Sequence, residues 1–511
     1  MNSYIHRKWK RIIQSTLLLT VLVAGLIGYM KLEQMGYGIK QVNRDSPIDK
    51  YSKYIAQSIE ANFDNRPILG ANTETAKSIP VLTYHGVVET IKGNEDVLYD
   101  TFKDQMFALK ENGYQTIKLE DFKAYLNGEK ELPDKSFLLT FDDGRKDSYY
   151  PVDPILKALN FNAVNFIIAG SIRDNDPYHL TLAEIQQMLE TGRWEIGSHG
   201  FNAHQNIPIN SNGELGHWLT SRMWLASENR LENENEYLNR TQGDFLNSKN
   251  ELINKFGVKI FSYAYPYGDY AQQTVENNVV LEKASSVYDM TFYQSWNELQ
   301  SYNYPRIDTK LIRRIPISSE IDSSELMRIL VIGRDKDVDH QDDFSENSGW
   351  TTNWGENIIS DGRLQIKSKD GASGGSTYLM GSNNWSEYQM SVDVKVNDDT
   401  STFSIIFNLD RFGNYSYCNY GVNGVSYNYR HGDEVIQGKY WNHYWESTFP
   451  NTFRAGVMIK DGLVSCMVNS NTLVRDDLIG KATDGIIGFT IWNSGSKNPY
   501  AEIDNFSAKP I

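Results

Sequence analysis

The chain has 511 residues, a formal net charge of −15 and a hydrophobic fraction of 40%. That length exceeds what one compact core supports, so two folded domains with accessory segments are predicted. The acidic balance argues against a nucleic-acid partner, which requires a basic face. The two cysteines, Cys418 and Cys466, fit either one disulfide outside the cytoplasm or two buried thiols.

The N-terminus opens with a tail, residues 1–11, that carries the basic cluster His6-Arg7-Lys8-Trp9-Lys10-Arg11. Residues 12–30 follow without a charge and are almost all apolar. A helix of about 20 residues spans a bilayer, and the basic flank predicts a cytoplasmic tail with the remainder exported. A single-pass anchor in the cell membrane is therefore expected. A cleavable signal peptide is the alternative, and no small-x-small pattern follows the apolar run to support it. Residues 31–78 are polar and weakly patterned, as in a stalk.

From residue 79 the texture changes. Ile79–Thr83 reads as a first buried strand, and Phe102–Asn112 as a helix ended by Gly113. Phe137–Phe141 is a continuous apolar run, as in a parallel strand covered on both faces. Helices are predicted over 152–159 and 182–189, with strands at 163–168, 194–196 and 260–264. This alternation, over residues 79–335, indicates an α/β barrel or a doubly wound sheet. Between Glu214 and Phe256 a long helical insertion is predicted, because Trp224, Leu231, Leu238, Phe245 and Leu252 recur every seventh position. One such stripe suits a helix packed on the outside of the domain better than a dimerising coiled coil.

Residues 340–511 read as an all-β sandwich. Tyr388–Val396 alternates cleanly, and Asp461-Gly462 marks a hairpin between Phe453–Ile459 and Leu463–Val468. Six of the eleven tryptophans lie here (Trp350, Trp354, Trp385, Trp441, Trp445 and Trp492). Trp441, Tyr444 and Trp445 sit in a loop-like segment and are the expected exposed set for a carbohydrate face. Core filling is the alternative for any one ring.

Two motifs carry chemistry. Thr140-Phe141-Asp142-Asp143-Gly144 puts paired carboxylates at a strand end, and Ser198-His199-Gly200-Phe201-Asn202-Ala203-His204 holds two imidazoles five residues apart. One carboxylate and two neutral imidazoles can ligate a divalent metal and leave positions open. The second carboxylate can then accept a proton from water. An Asp-Asp-Gly after a strand is by itself often only a turn. His179 and His217 match no motif and read as surface or core residues.

These motifs, with Tyr263-Ala264-Tyr265-Pro266-Tyr267-Gly268, resemble the polysaccharide deacetylases of carbohydrate esterase family 4. Within that family the chain is most similar to the biofilm poly-β-1,6-N-acetylglucosamine deacetylases. The resemblance implies a distorted (β/α) barrel with Asp143, His199 and His204 on one metal. Zinc suits such ligands first, and cobalt, nickel or iron also fit. Asp142 would be the general base, His85 the general acid, and the Tyr267 backbone N–H an oxyanion donor. Most family members take the acid from a histidine late in the barrel. Leu311–Ile317 holds none here, which favours His85. The arginine that usually precedes the Pro-Tyr motif is not evident, and Arg314 is the candidate to orient Asp142. The sandwich resembles, more loosely, concanavalin-like jelly-roll modules. The expected function is hydrolysis of N-acetyl groups on an acetylated extracellular glycan polymer. A peptidoglycan N-acetylglucosamine deacetylase and a non-catalytic glycan-binding scaffold are the alternatives. Oligomeric state is not legible.

Overall fold

The computed structural model describes residues 51–54, 74–272, 277–294, 302–305, 309–369, 371–398, 400–410, 413–441, 450–480, 485–493, 495 and 498–511. The expected tail and anchor, most of the stalk, and Tyr444 and Trp445 lie outside these. Among the described residues no helix is long and apolar enough to cross a membrane. The chain divides into two compact units, residues 1–57 and 58–511. Of the first, only residues 51–54 are described, and they are helical.

In the second unit, seven parallel strands close into a barrel. They are β1 (Val81–Tyr84), β2 (Ser136–Phe141), β3 (Ala163–Ile167), β4 (Trp194–Ser198), β5 (Ser262–Ala264), β6 (Met290–Gln294) and β7 (Ile312–Pro316). Their order around the barrel is β1-β7-β6-β5-β4-β3-β2, and β1 pairs with β2 from Val81↔Leu138 to Tyr84↔Phe141. That last pairing makes a barrel and excludes the doubly wound sheet. All six residues of β2 are buried, which is why its sequence shows no alternation. Phe166 of β3 meets Phe292 of β6 at 5.2 Å between ring centroids, within one buried cluster.

Helices cover the outside: α1 (Tyr99–Glu111), α2 (Leu119–Leu126), α3 (Asp153–Leu159), α4 (Leu182–Glu190), α5 (Glu234–Phe256), α6 (Asn277–Ser285) and α7 (Ser323–Gly333). α1 buries Phe102, Met106 and Leu109. The insertion differs from the sequence expectation. Short strands occupy Leu215–His217, Trp224–Leu225 and Arg230–Leu231, and helix begins only at Glu234. A capping box sets that start: the Asn233 side chain accepts from the Glu236 N–H at 3.0 Å, and the Glu236 carboxylate accepts from the Asn233 N–H at 2.8 Å. Trp224 and Leu231 thus never join the helical stripe, and Leu231 is exposed. The buried face is instead half polar: Tyr237, Thr241, Asp244, Phe245, Ser248 and Leu252.

The C-terminal part is a sandwich of two antiparallel sheets. One has the order Glu356–Ser360, Arg363–Lys367, Tyr500–Pro510, Tyr388–Val396, Thr452–Lys460, Leu463–Val468, Asn471–Asp477. The other runs Trp350–Trp354, Gly374–Leu379, Ile486–Trp492, Thr402–Leu409, Tyr415–Gly421, Gly424–His431, Glu434–Trp441. Tyr388, Met390, Val392, Val394 and Val396 point inward, and between the sheets Trp350 stacks on Phe489 at 4.9 Å. Burying each such side chain contributes about 1.5–3 kcal/mol. The hairpin turn at Asp461-Gly462 has both residues at positive φ, 51° and 74°. Cys418 and Cys466 form a disulfide that ties one sheet to the other, so the two-thiol alternative falls. Trp441 also departs from expectation: it ends a strand and packs, half-buried, against the sandwich core.

Barrel and sandwich are joined by polar links. The Tyr304 hydroxyl donates to Asn383 Oδ1 at 2.9 Å, the Lys336 N–H to the Gly381 carbonyl at 2.8 Å, and the Trp385 indole N–H to the Lys336 carbonyl at 2.8 Å.

Candidate active site

The paired aspartates sit where β2 ends. The Asp142 N–H donates to the Tyr84 carbonyl at 3.1 Å and so continues the pairing with β1. The next two residues turn left-handed, Asp143 at φ 73° and Gly144 at φ 69°. Aspartate is among the few residues that enter this region at modest cost. The reversal sends neighbouring carboxylates to different partners.

Asp142 is buried and paired end-on with Arg314 of β7: Nη1–Oδ1 is 2.7 Å and Nη2–Oδ2 is 2.8 Å. Burial pushes the Asp142 carboxyl upward, but the guanidinium outweighs it, with help from the nearby imidazoles, and the pKa lies below the usual range. Arg314 is itself among the largest fully buried side chains. A bidentate pair of this kind fixes the carboxylate plane as well as its charge.

Asp143 faces the two imidazoles. Its Oδ1 lies 3.5 Å from His199 Nε2 and 3.2 Å from His204 Nε2. One ligand atom from each of the three residues falls within 4.8 Å of the others. Asp143 Oδ1 is buried without a well-formed hydrogen bond. An orphaned carboxylate oxygen facing two ring nitrogens is the arrangement a divalent cation satisfies, so the residues fit a metal.

The histidines are oriented from behind. His199 follows β4, and its Nδ1 lies 2.8 Å from the Ala264 carbonyl at the end of β5. Nδ1 must be the donor there, which leaves a lone pair on Nε2. Burial pulls the His199 pKa down to about 4, so the ring is neutral at physiological pH. For His204, burial works downward but the Asp143 carboxylate outweighs it and raises the pKa. The loop between them is held by Asp244 of α5, whose carboxylate accepts from the Phe201 N–H at 3.0 Å and the Asn202 N–H at 2.7 Å. Gly200 has φ 87°, and a Cβ there would lie 2.6 Å from that of Ala203. No other residue fits that turn.

The remaining expected residues border the cluster. His85, in the loop after β1, is buried with Nε2 3.9 Å from Asp142 Oδ2 and 3.6 Å from Glu95 Oε2. Tyr267 takes a left-handed conformation, φ 59°, in the turn after β5. Its hydroxyl donates to the His204 carbonyl at 2.7 Å, and its ring lies 4.5 Å from that of His204. The Tyr267 ring also stacks on His217 at 4.4 Å, and His217 Nδ1 is 2.6 Å from Asp269 Oδ2. His217 thus borders the site, whereas the sequence reading gave it no place there. His179 stays with Asp176, outside the Asp143–His199–His204 cluster.

Three groups were missed from sequence: Asp244, Glu95 and the His217–Asp269 pair. Only Asp244 had a signal, the i, i+4, i+7, i+11 spacing of Tyr237, Thr241, Asp244 and Ser248 along α5. A search for apolar residues passes over it.

Residues 129–282 match the family model for polysaccharide deacetylase. A poly-β-1,6-N-acetyl-D-glucosamine N-deacetylase of Escherichia coli strain K12 is 26% identical over 246 residues, which cover 45% of this chain and 36% of that protein. The chain thus spans little more than a third of that relative's length. A Staphylococcus epidermidis protein of the same name is 26% identical over 219 residues, covering 42% of this chain and 68% of that one. Among solved structures, a de-N-acetylase from Aggregatibacter actinomycetemcomitans is 25% identical, with a TM-score of 0.43, over 49% of this chain and 99% of that one.

Proposed function

We propose that this chain, which contains a polysaccharide deacetylase domain, is a metal-dependent hydrolase of N-acetyl groups on a poly-β-1,6-N-acetylglucosamine-type polymer. The observation that carries the reading is the convergence of Asp143, His199 and His204 beside an Arg314-paired Asp142 and His85. The names borne by the Escherichia coli and Staphylococcus relatives support the choice of polymer.

Asp143, His199 and His204 would hold the metal, and zinc is the first choice for that donor set. Such an ion lowers the pKa of water from 15.7 toward about 7 and polarises a carbonyl oxygen. The chain's own groups do the rest. Asp142 takes the proton from the attacking water, and Arg314 holds that carboxylate in one plane. The water oxygen bonds to the acetyl carbon, and the Tyr267 backbone N–H donates to the oxyanion that forms. His85 then protonates the amide nitrogen as the C–N bond breaks, which releases acetate and leaves a free amine.

We further infer an extracytoplasmic location on a single-pass anchor at residues 12–30. The apolar run behind a basic cluster supports it, as does the Cys418–Cys466 disulfide, since such bonds persist in oxidising compartments.

Acetate release by the full chain tests the activity, with β-1,6-linked N-acetylglucosamine polymer and peptidoglycan as parallel substrates. The expected result is acetate from the first, lost on chelation and restored by zinc, cobalt, nickel or iron. Acetate from peptidoglycan alone would move the substrate to the cell wall. No acetate from either, with no bound metal, would leave a glycan-binding scaffold.

A further inference from the structure

A cleft of about 1030 Å³ opens between barrel and sandwich, separate from the metal-ligand set. Its barrel wall begins on the catalytic turn. Tyr270 lies three residues beyond Tyr267, and Gln294, at the end of β6, backs directly onto Gly268, where a Cβ would sit 2.7 Å from that of Gln294. Tyr270 and Tyr293 pack edge to face at 5.5 Å.

The sandwich wall is the outward face of the sheet that carries Ile486–Trp492. Trp354 and Trp492 meet at 6.0 Å, and Tyr415 and Tyr417 at 5.4 Å. Trp492 is 48% exposed, although its neighbours Ile491 and Phe489 are buried. Trp354 is half-buried, as are Tyr415 and Tyr417, which pack on an apolar patch of Tyr378, Ile406, Leu409 and Ile486. An apolar floor with an open tryptophan beside it, in a cleft, suits a ligand surface.

The rest of the lining selects the ligand class. Asn353, Ser404 and Asn419 supply amide and hydroxyl groups, and the Thr490 hydroxyl is buried without a hydrogen-bond partner. Arg313 and Arg430 are balanced by Asp410 and Asp433, so neither a polyanion nor a polycation is favoured. Flat apolar rings ringed by neutral hydrogen-bonding groups suit a pyranose chain, whose C–H faces stack and whose hydroxyls and acetamides pair. The volume is at the upper end for a ligand pocket, enough for more than one sugar. The walls are fixed by the buried Tyr304–Asn383 hydrogen bond.

We propose that this cleft binds a still-acetylated, uncharged stretch of the hexosamine polymer and delivers it to the Tyr267 turn. The proposal rests on the deacetylase reading for the identity of the glycan. The barrel then acts on a polymer already held by the sandwich, so neighbouring acetyl groups are removed without release of the chain.

Equilibrium binding to the full chain carrying Asp142→Asn, which keeps the substrate intact, tests it. The probe is a β-1,6-linked N-acetylglucosamine oligomer, with a fully N-deacetylated oligomer as its counterpart. Trp492→Ala and Trp354→Ala are each expected to weaken binding of the acetylated oligomer about tenfold, the loss of roughly 1.4 kcal/mol of contact. Trp492 is half exposed, so its replacement leaves the fold intact. Undiminished affinity in the double variant, no binding by the parent, or preference for the deacetylated oligomer would each overturn the proposal. Failure of the deacetylase reading looks different: no acetate from the chain with Asp142 intact, while the tryptophan-dependent binding persists.

Discussion

The barrel mouth and the sandwich interior are both buried, and they are built from opposite materials. At the mouth, His85, Asp142, His199 and Arg314 are charged or polar groups taken out of water. The sandwich interior is Trp350, Phe403, Phe489 and their aliphatic neighbours, closed by one disulfide. Burial of charge is expensive unless partners compensate it, whereas burial of apolar surface drives folding directly. The mouth spends stability on chemistry, and the sandwich supplies rigidity and a surface.

That contrast can be broken at either end. Asp143→Ala is expected to abolish both metal binding and turnover, read by metal content and acetate release. His85→Ala should lower kcat by about 10²–10⁴ with metal content intact; loss of metal in this variant would make His85 a ligand instead. In the sandwich, Phe489→Ala should cost about 3–5 kcal/mol in chemical denaturation and leave the metal bound. Replacing Cys418 and Cys466 together by serine should cost about 2–4 kcal/mol, and reductant should reproduce the effect on the parent.

The smallest effect lies at the junction. Burial pushes the Asp335 carboxyl up to about 6, so the folded chain binds that proton more tightly than the unfolded chain does. Its ionisation therefore weakens folding as pH rises from about 4 to about 6, and the full penalty persists above that. Asp335→Asn should raise Tm near neutral pH by a few degrees and leave it unchanged below about pH 4.

The convergence of Asp143, His199 and His204 was legible because their residue types and spacing suit coordination of one cation, and β2 because both its faces are buried. Closure of the barrel was implied by the family resemblance alone, since the strand–helix alternation also allowed a doubly wound sheet and nothing in β1 or β2 announces that Val81 will pair with Leu138. The insertion was misread because a seven-residue spacing of apolar side chains ignores the capping box at Asn233, which starts the helix late. The role of Arg314 could be named but not secured, because its partner Asp142 lies 172 residues away. Of the expected exposed set, Tyr444 and Trp445 lie outside the described residues, and the strand of Trp441 packs that ring against the core. Among the described residues Trp492 is an exposed ring, with Trp354, Tyr415 and Tyr417 half-buried on the same sheet face, and no local pattern sets these apart from core rings.

The left-handed backbone at Asp143 limits what else could stand at that position. A cysteine grafted at 143 to recruit a softer cation would meet resistance from the main chain before its donor atom met any metal. Glycine or asparagine could occupy the position comfortably, yet glycine offers no ligand and asparagine only a neutral one. Retuning of this centre is therefore best begun from the imidazole side, where His204 lies on the more open loop.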